Sequence, residues 1–419
     1  MSRRAQVGQV ASFTTGLYRE RYNRWYAGRV RGDELARLRL RQGRRDPYPI
    51  YERIRVKGPM QLNRFGNWAT TSHALCSQVL RSRSFGVAEQ DQPPSNGGQM
   101  AFDLSFLALN PPAHDRLRRL AGPAFSPKMM ATYATKIQKT VHGLLDAAEQ
   151  RDAFDLVADF AAPLPIAVIT EMMGVPDADV AAFQRYGTAL GSALDGLTSL
   201  AHAREVIRAN AELEGIFESL FALRAREPRD DLVSALVAAR GEQIQPSELV
   251  PMCTLLLIAG FETTVNLIGN GTLALLHNPG QWELLRSQPA LAGQAVEEML
   301  RYDPPVQDTA RVSFEDTELA GVPVRRNQWV ITLLAAANRD PEVFADPGRF
   351  DITRSAGADH LSFSSGIHYC LGASLARLEA TIAFTALATR MPLLRQAGRV
   401  VMRPSSTIRG PRRLPVAPR

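Results

Sequence analysis

Cys370 stands between two glycines and directly before a long apolar stretch with the periodicity of a helix. The segment FSSGIHYCLG, residues 363–372, therefore places a thiol where the free N–H groups of a helix N-terminus favour a thiolate. Gly366 permits a tight turn ahead of the cysteine, and Gly372 leaves room for a flat group against the helix. His368 can reach sideways toward an anionic group. From these residues alone, Cys370 is either a buried small residue, the more common case for a lone cysteine, or a soft metal ligand or nucleophile.

The rest of the sequence predicts one large and mostly helical domain. The chain has 419 residues, 45% of them hydrophobic, which is enough for a sizeable packed core. Helical periodicity dominates from about residue 114 to residue 302 and includes a long helix over residues 246–277. Residues 310–335 instead show short strands separated by turn residues. We therefore expect a mostly α fold with a small β portion over residues 46–419.

The three cysteines and the absence of a long apolar run indicate a soluble, cytoplasmic protein. Cys76, Cys253 and Cys370 are too few and too scattered for a disulfide framework or a zinc knuckle, which fits a reducing compartment. No uninterrupted run approaches the roughly 18 apolar residues of a membrane span. We therefore expect no transmembrane segment.

The positive charge of the chain is concentrated at its beginning. Residues 1–45 contain twelve arginines against three acidic residues, whereas the whole chain has a net charge of +7. Because the remainder is slightly acidic, the charge does not indicate a nucleic-acid-binding face. We interpret residues 1–45 as an Arg-rich N-terminal extension, either solvated or forming a capping helix. The alternative is a cationic amphipathic helix that meets an acidic partner or an anionic surface.

The cysteine segment resembles a known family. Phe363, Gly366, His368, Cys370 and Gly372 match the Phe-x-x-Gly-x-His-x-Cys-x-Gly pattern of the cytochrome P450 family, in which a cysteine thiolate holds the haem iron. The resemblance implies a single-domain cytochrome P450 fold, with haem b between the long central helix and the helix after the cysteine. It also implies that Cys370 is the axial ligand, that Phe363 packs beside its sulfur, and that His368 lies near a haem propionate.

A second motif lies in the middle of the long central helix. Gly260 interrupts this helix at a cost of about 1 kcal/mol relative to alanine, which indicates close approach of a ligand or of another backbone. Glu262 and Thr263 follow, and a carboxylate beside a hydroxyl on a dry face could relay protons. A solvent-facing pair is the alternative from the residues alone. The segment AGFETT, residues 259–264, is similar to the oxygen-activation motif of the family, which implies catalytic Glu262 and Thr263 and haem contacts for Ala259 and Gly260.

The haem propionates of this family need cationic partners. His114 and Arg118 are four residues apart, so both can face one site on a helix. The resemblance implies that this pair and Arg311 bind the propionates.

Further matches concern the fold. Glu298 and Arg301 can pair on one helix face and correspond to the structural Glu-x-x-Arg pair of the family, with Arg349 as the arginine that completes the network. Asn327 occupies a turn position where glycine is usual, and asparagine tolerates the left-handed conformation.

The resemblance implies a haem-dependent monooxygenase that activates O2 to hydroxylate or epoxidise a mainly apolar small molecule of secondary-metabolite, terpenoid, steroid or aromatic type. Electrons would come from a separate ferredoxin and ferredoxin reductase, and so indirectly from NAD(P)H. The expected substrate-pocket residues are Phe102, Phe106, Leu256, Val306, Asp308, Thr407 and Ile408. Three alternatives stay open: haem-thiolate chemistry without oxygen insertion, such as oxidative coupling or desaturation; a haem-binding sensor; and a haem-free hydrolase with His368 as base to Cys370.

Overall fold

The computed structural model of the chain describes residues 3–90, 103–176, 179–354 and 357–419, with side chains from residue 13 onward. The α-helices in these ranges are α1 (Arg3–Arg29), α2 (Glu34–Leu38), α3 (Arg41–Arg45), α4 (Tyr48–Val56), α5 (His73–Arg81), α6 (Ala113–Ala121), α7 (Pro127–Glu149), α8 (Pro163–Met173), α9 (Val180–Ser192), α10 (Leu200–Arg226), α11 (Leu232–Ala238), α12 (Pro246–His277), α13 (Pro279–Ser287), α14 (Ala292–Tyr302), α15 (Leu334–Ala337) and α16 (Ala373–Arg390).

The β portion is small and divided among four sheets in the described residues. Its strands are β1 (Gln61–Leu62), β2 (Trp68–Thr70), β3 (Phe85–Gly86), β4 (Phe154–Asp155), β5 (Thr309–Ser313), β6 (Thr317–Leu319), β7 (Val322–Val324), β8 (Trp329–Thr332), β9 (Arg395–Gln396), β10 (Val401–Met402), β11 (Pro411–Arg413) and β12 (Pro415–Ala417). The largest sheet has the order β1-β2-β8-β5-β3, with β2 and β8 parallel and the other neighbours antiparallel. The predicted fold class, mostly α with a small β portion, is confirmed.

Helix α12 is the centre of the fold. It is apolar around most of its circumference, as expected for a helix surrounded by protein, and it contacts α8, α9, α14 and α16. Among the described helices it alone is long and apolar enough to cross a membrane, but 83% of its most apolar window is buried inside the protein. This helix therefore forms part of the protein core.

Several predicted elements have the expected bounds. The central helix spans Pro246–His277, and the short strands over residues 310–335 correspond to β5 through β8. Asn327 has a φ of 62°, so asparagine does adopt the left-handed turn. Helical periodicity did not separately indicate α5 or α13, which are nine residues each.

The Arg-rich extension is helical, and part of it packs onto the rest of the chain. Leu35 and Leu38 of α2 are buried in a small apolar cluster with Ile50 and Ile54 of α4. Helix α1 in turn contacts α2. The domain boundary after residue 45 remains a prediction. Residues on both sides of it belong to the same apolar cluster.

Candidate functional site

The loop that carries Cys370 is held in a tight turn just before α16. Gly366 has a φ of 69°, and a Cβ on it would lie 2.3 Å from the carbonyl oxygen of Leu80, so only glycine fits. The backbone N–H of Cys370 donates to the carbonyl of Phe363 at 2.9 Å, which closes the loop. Helix α16 begins three residues after the cysteine, and the sequence thus places the thiol near a helix N-terminus as expected.

The thiol of Cys370 opens to accessible space while protein surrounds it on its other sides. Burial raises its pKa, and the backbone N–H of Gly372 and the guanidinium groups of Arg118 and Arg377 act in the opposite direction. Phe363 is buried nearby, with the guanidinium carbon of Arg377 4.5 Å from the centre of its ring. The protein surroundings alone therefore favour the protonated thiol more than water does.

Two buried histidines lie side by side near this loop. The ring centres of His114 and His368 are 4.3 Å apart, and the Nε2 atom of each has no hydrogen-bond partner among the described residues. His114 Nδ1 contacts a carboxylate oxygen of Asp115 at 2.7 Å. Burial, followed by the charges of Arg311, His114 and Arg118, lowers the pKa of His368 to about 3. Two ring nitrogens thus face a space where a polar partner is missing.

Two arginines beside these histidines form no ion pair with a carboxylate of the described residues. Arg311 is 5% exposed and donates only to the Thr309 hydroxyl at 3.1 Å and the Ala310 carbonyl at 2.8 Å, and burial lowers its pKa to about 10. Arg118 donates to the carbonyl of Tyr369 at 2.5 Å. A buried cation without a counter-ion is costly, so Arg311, together with the half-buried Arg118 and the two unpartnered ring nitrogens, is suited to binding an anionic ligand.

One face of α12 is accessible in the middle of the helix. From Met252 to Thr272 every residue is buried except Ala259, Gly260 and Thr263. A Cβ on Gly260 would meet only Ile169, at an ordinary 3.4 Å, so packing within the protein does not itself require glycine there. The hydroxyl of Thr263 donates to the carbonyl of Ala259 at 2.6 Å. The helix thus presents a narrow accessible strip in an otherwise buried surface.

These features fit a haem. Among the described residues there is no cluster of three or more His, Cys, Asp or Glu side chains that could hold a metal ion, so a single cysteine ligand needs a metal that arrives in its own macrocycle. The unpartnered Nε2 atoms and the Arg311 guanidinium match a ligand that carries carboxylates. The open strip on α12 matches a flat ligand face.

The two predicted catalytic side chains, Glu262 and Thr263, contact other groups and not each other. Glu262 is 2% exposed, and its Oε2 atom pairs with Arg403 Nη1 at 2.9 Å. Burial raises the pKa of Glu262, while Arg403 and Thr188 oppose this increase. Arg403 also donates to the Asn266 side chain at 3.1 Å. The sequence alone does not indicate Arg403, because no sequence pattern relates it to α12, which lies more than 100 residues earlier in the chain.

Four of the expected substrate-pocket residues are apolar side chains in or beside the core. Phe106 and Leu256 are buried, and the Phe106 ring lies edge-on to that of His114 with centres 6.3 Å apart. Val306 and Ile408 pair through an isolated β-bridge, so the structure brings these two together. Phe102 lies outside the described residues.

The two polar pocket candidates are engaged by a side chain of the N-terminal extension. Arg39 donates to Asp308 at 3.0 Å and to the Thr407 hydroxyl at 2.5 Å, and it lies 3.4 Å from Asp195. Asp195 also accepts hydrogen bonds from the backbone N–H groups of Ser406 and Thr407. In this conformation Asp308 and Thr407 are not free to anchor a substrate, because Arg39 occupies both.

The structural network contains the predicted pair but a different third arginine. Glu298 and Arg301 are each about 3% exposed and form two bonds of 2.7 and 2.8 Å. Arg354 contacts Glu298 at 3.2 Å, whereas the side chain of Arg349 is 66% exposed and lies 3.4 Å from Asp351. Arg349 contributes only its carbonyl, which accepts from Arg301 at 3.0 Å. The expectation that the Arg349 side chain completes the network is corrected, since its loop turns that side chain to solvent.

Comparison with known proteins gives concordant results. The family model described as cytochrome P450 matches residues 201–393. The biotin biosynthesis cytochrome P450 of Bacillus subtilis is 40% identical over 84% of this chain and 91% of that protein. The cytochrome P450 monooxygenase PikC of Streptomyces venezuelae is 38% identical over 88% and 91%, respectively. The solved structure of P450BioI with a hexadec-9Z-enoic acid ligated acyl carrier protein superposes with a TM-score of 0.83 at 39% identity, covering 89% of this chain and 98% of that one. The myxobacterial CYP267B1 in complex with myristic acid gives 0.83 at 37% identity, covering 91% and 99%.

Proposed function

This chain belongs to the cytochrome P450 family of haem-dependent monooxygenases. We propose that Cys370 is the iron ligand and that the enzyme oxidises a mainly apolar small molecule. The observation that carries the assignment of the site is the cluster formed by Arg118, Arg311 and the two unpartnered Nε2 atoms of His114 and His368 beside the cysteine loop. When bound, haem supplies oxygen activation, which a thiolate ligand promotes by donating electron density.

The side chains of the cluster would bind and orient the cofactor. Arg311 and Arg118 are the charged partners for the propionates, and the Nε2 atoms of His114 and His368 are additional polar partners. Phe363 packs beside the cysteine loop, and Ala259 and Gly260 leave room for the flat face of the ligand. Because Arg311 is buried with no carboxylate, we expect haem binding to relieve an existing electrostatic cost.

Glu262 and Thr263 would manage protons on the α12 side. Burial raises the pKa of Glu262, which makes its carboxylate a stronger proton acceptor than that of an exposed glutamate, and the bond to Arg403 orients it. Thr263 already donates its proton to the Ala259 carbonyl, so its oxygen is left as an acceptor that can position a water molecule. These two roles explain why an acid and an alcohol adjoin on this helix.

The substrate and electron source follow from the same proposal. Phe106, Leu256, Val306 and Ile408 favour an apolar substrate of secondary-metabolite, terpenoid, steroid or aromatic type, and relatives described with fatty-acyl ligands extend this class to aliphatic acids. Electrons would reach the protein from NAD(P)H through a ferredoxin reductase and a ferredoxin in the cytoplasm. Tyr369, 42% exposed on the cysteine loop, lies on the expected docking side.

The test compares two cysteine substitutions in the haem-loaded protein. Cys370→Ala should abolish the long-wavelength Soret band of the reduced, carbon monoxide-treated protein, because the thiolate ligand is removed. Cys253→Ala changes a buried cysteine of α12 outside the site and should retain that band. Retention of the band in Cys370→Ala would contradict the ligand assignment. Titration with myristic acid, followed by the shift in iron spin state, then tests the apolar pocket.

A further inference from the structure

A cavity of about 290 Å³ lies at the junction of α1, α2, α3 and α4, among elements that the proposed haem site does not use. It is lined by Arg29, Arg37, Leu40, Gln42 and Arg53. Three of these five residues are arginines and none is acidic. Because one water molecule occupies about 30 Å³, the cavity has room for a small anion together with several waters.

The charges around this cavity are not balanced. Glu34, 8% exposed, pairs with Arg37 at 2.8 Å and with Arg53 at 3.1 Å, and Lys57 lies 3.9 Å away. Arg29 makes no hydrogen bond or ion pair with any described residue. One carboxylate therefore faces four cations, and an added anion would reduce their mutual repulsion.

We propose that this cavity binds a phosphate group. Guanidinium groups bind phosphate oxygens through paired N–H donors, and here arginines of three different helices line one cavity, two of them also bonded to Glu34. The Arg29 guanidinium has no bonded partner within the part of the chain that the structure describes, and Gln42 adds an uncharged amide. The excess of cations over carboxylates matches a multiply charged anion better than a single carboxylate.

A row of exposed aromatic side chains leads to the cavity along α1. Tyr18, Tyr22, Trp25 and Arg29 are separated by four, three and four residues, so they lie on one face of the helix. The three aromatic residues are 56%, 60% and 48% exposed, and the rings of Tyr22 and Trp25 are 6.0 Å apart. Such a row offers apolar contact to the organic part of a phosphate-bearing ligand. That ligand is either a soluble phosphate ester or a lipid headgroup at a membrane surface.

The experiment uses the haem-loaded protein with two probes, pyrophosphate in calorimetry and phosphatidylglycerol vesicles in co-sedimentation, with phosphatidylcholine vesicles as the uncharged control. Arg29→Gln should weaken binding of the effective probe about tenfold, because charge-assisted hydrogen bonds are lost. Arg19→Gln removes the same charge from another face of α1 and should leave binding within about twofold. Arg37 and Arg53 are not substituted, because they also pair with buried Glu34.

Each outcome bears on the proposal. Binding of pyrophosphate that depends on Arg29 supports a site for a soluble phosphate ester. Binding of vesicles that depends on Arg29, and that Trp25→Ala also weakens, supports a site for a lipid headgroup. Equal loss in Arg29→Gln and Arg19→Gln would show only diffuse attraction to the Arg-rich extension and would overturn the proposal. Absence of binding to both probes would overturn it as well.

Discussion

Replacement of Arg354 by alanine should destabilise the protein, whereas the same replacement of Arg349 should not. The two arginines are five residues apart on one irregular segment, yet only Arg354 contacts the buried carboxylate of Glu298, at 3.2 Å. Arg354 is 18% exposed and Arg349 is 66% exposed. The two variants therefore compare the effect on stability of removing a mostly buried charge with that of removing an exposed charge at nearly the same place in the chain.

The magnitude follows from the bonds that each substitution removes. Arg354 donates to Glu298, to the Ala345 carbonyl at 2.6 Å and to the Arg349 carbonyl at 3.1 Å. With roughly 1 kcal/mol for each bond to a carbonyl and slightly more for the bond to a carboxylate, Arg354→Ala should cost about 3 kcal/mol of unfolding free energy. Arg349→Ala removes an exposed side chain and leaves the carbonyl that Arg301 uses, so its cost should be under about 0.5 kcal/mol.

Urea denaturation of both variants and of the parent protein, followed by far-ultraviolet circular dichroism, measures the difference. The haem Soret band recorded in parallel shows whether the cofactor is lost in the same transition. Equal destabilisation by the two substitutions would refute the assignment of Arg354 to the network, as would a midpoint for Arg354→Ala that matches the parent protein.

Two further predictions concern the central helix and α16. Thr263→Ala should leave carbon monoxide binding intact but divert electrons from product to hydrogen peroxide, because the hydroxyl oxygen that positions water is removed. Coupling is measured as product formed per NADPH consumed. An unchanged coupling ratio would argue against the role of Thr263. Burial raises the pKa of Glu379 from its ordinary 4.5 to about 8. The folded protein therefore holds this proton more tightly than the unfolded chain does. The tighter binding contributes fully to stability below about pH 4.5, and this contribution is lost as the pH rises toward 8. Glu379→Gln should accordingly gain stability relative to the parent between pH 5 and pH 8, and a stability difference independent of pH in urea titrations would contradict this sign.

Sequence predicts best those parts of the fold and site whose residues lie close together in the chain. Cys370 and Gly366 belong to one short turn, and the length and apolar character of α12 identify it as the core helix. His114 and Arg118 share a helix face at four residues, and the structure places both near the cysteine loop.

The parts that sequence did not predict depend on contacts between distant segments. Arg403 meets Glu262 across 141 positions of the chain, and Arg39 meets Asp308 across 269. No periodicity relates such residues, since only the folded backbone brings them together. The assignment of Arg349 to the network failed for a related reason, because an irregular segment has no repeat that indicates which side chain turns inward.

Arg39 connects the beginning of the chain to the segments near its end. Its bonds to Asp308 and Thr407, and its proximity to Asp195, make the N-terminal extension part of the boundary of the proposed pocket. Shortening the chain at residue 45 would leave two neighbouring aspartates without their shared cation. If the proposed pocket is correct, enzyme preparations trimmed beyond Arg39 should differ from the intact protein in which substrates they accept.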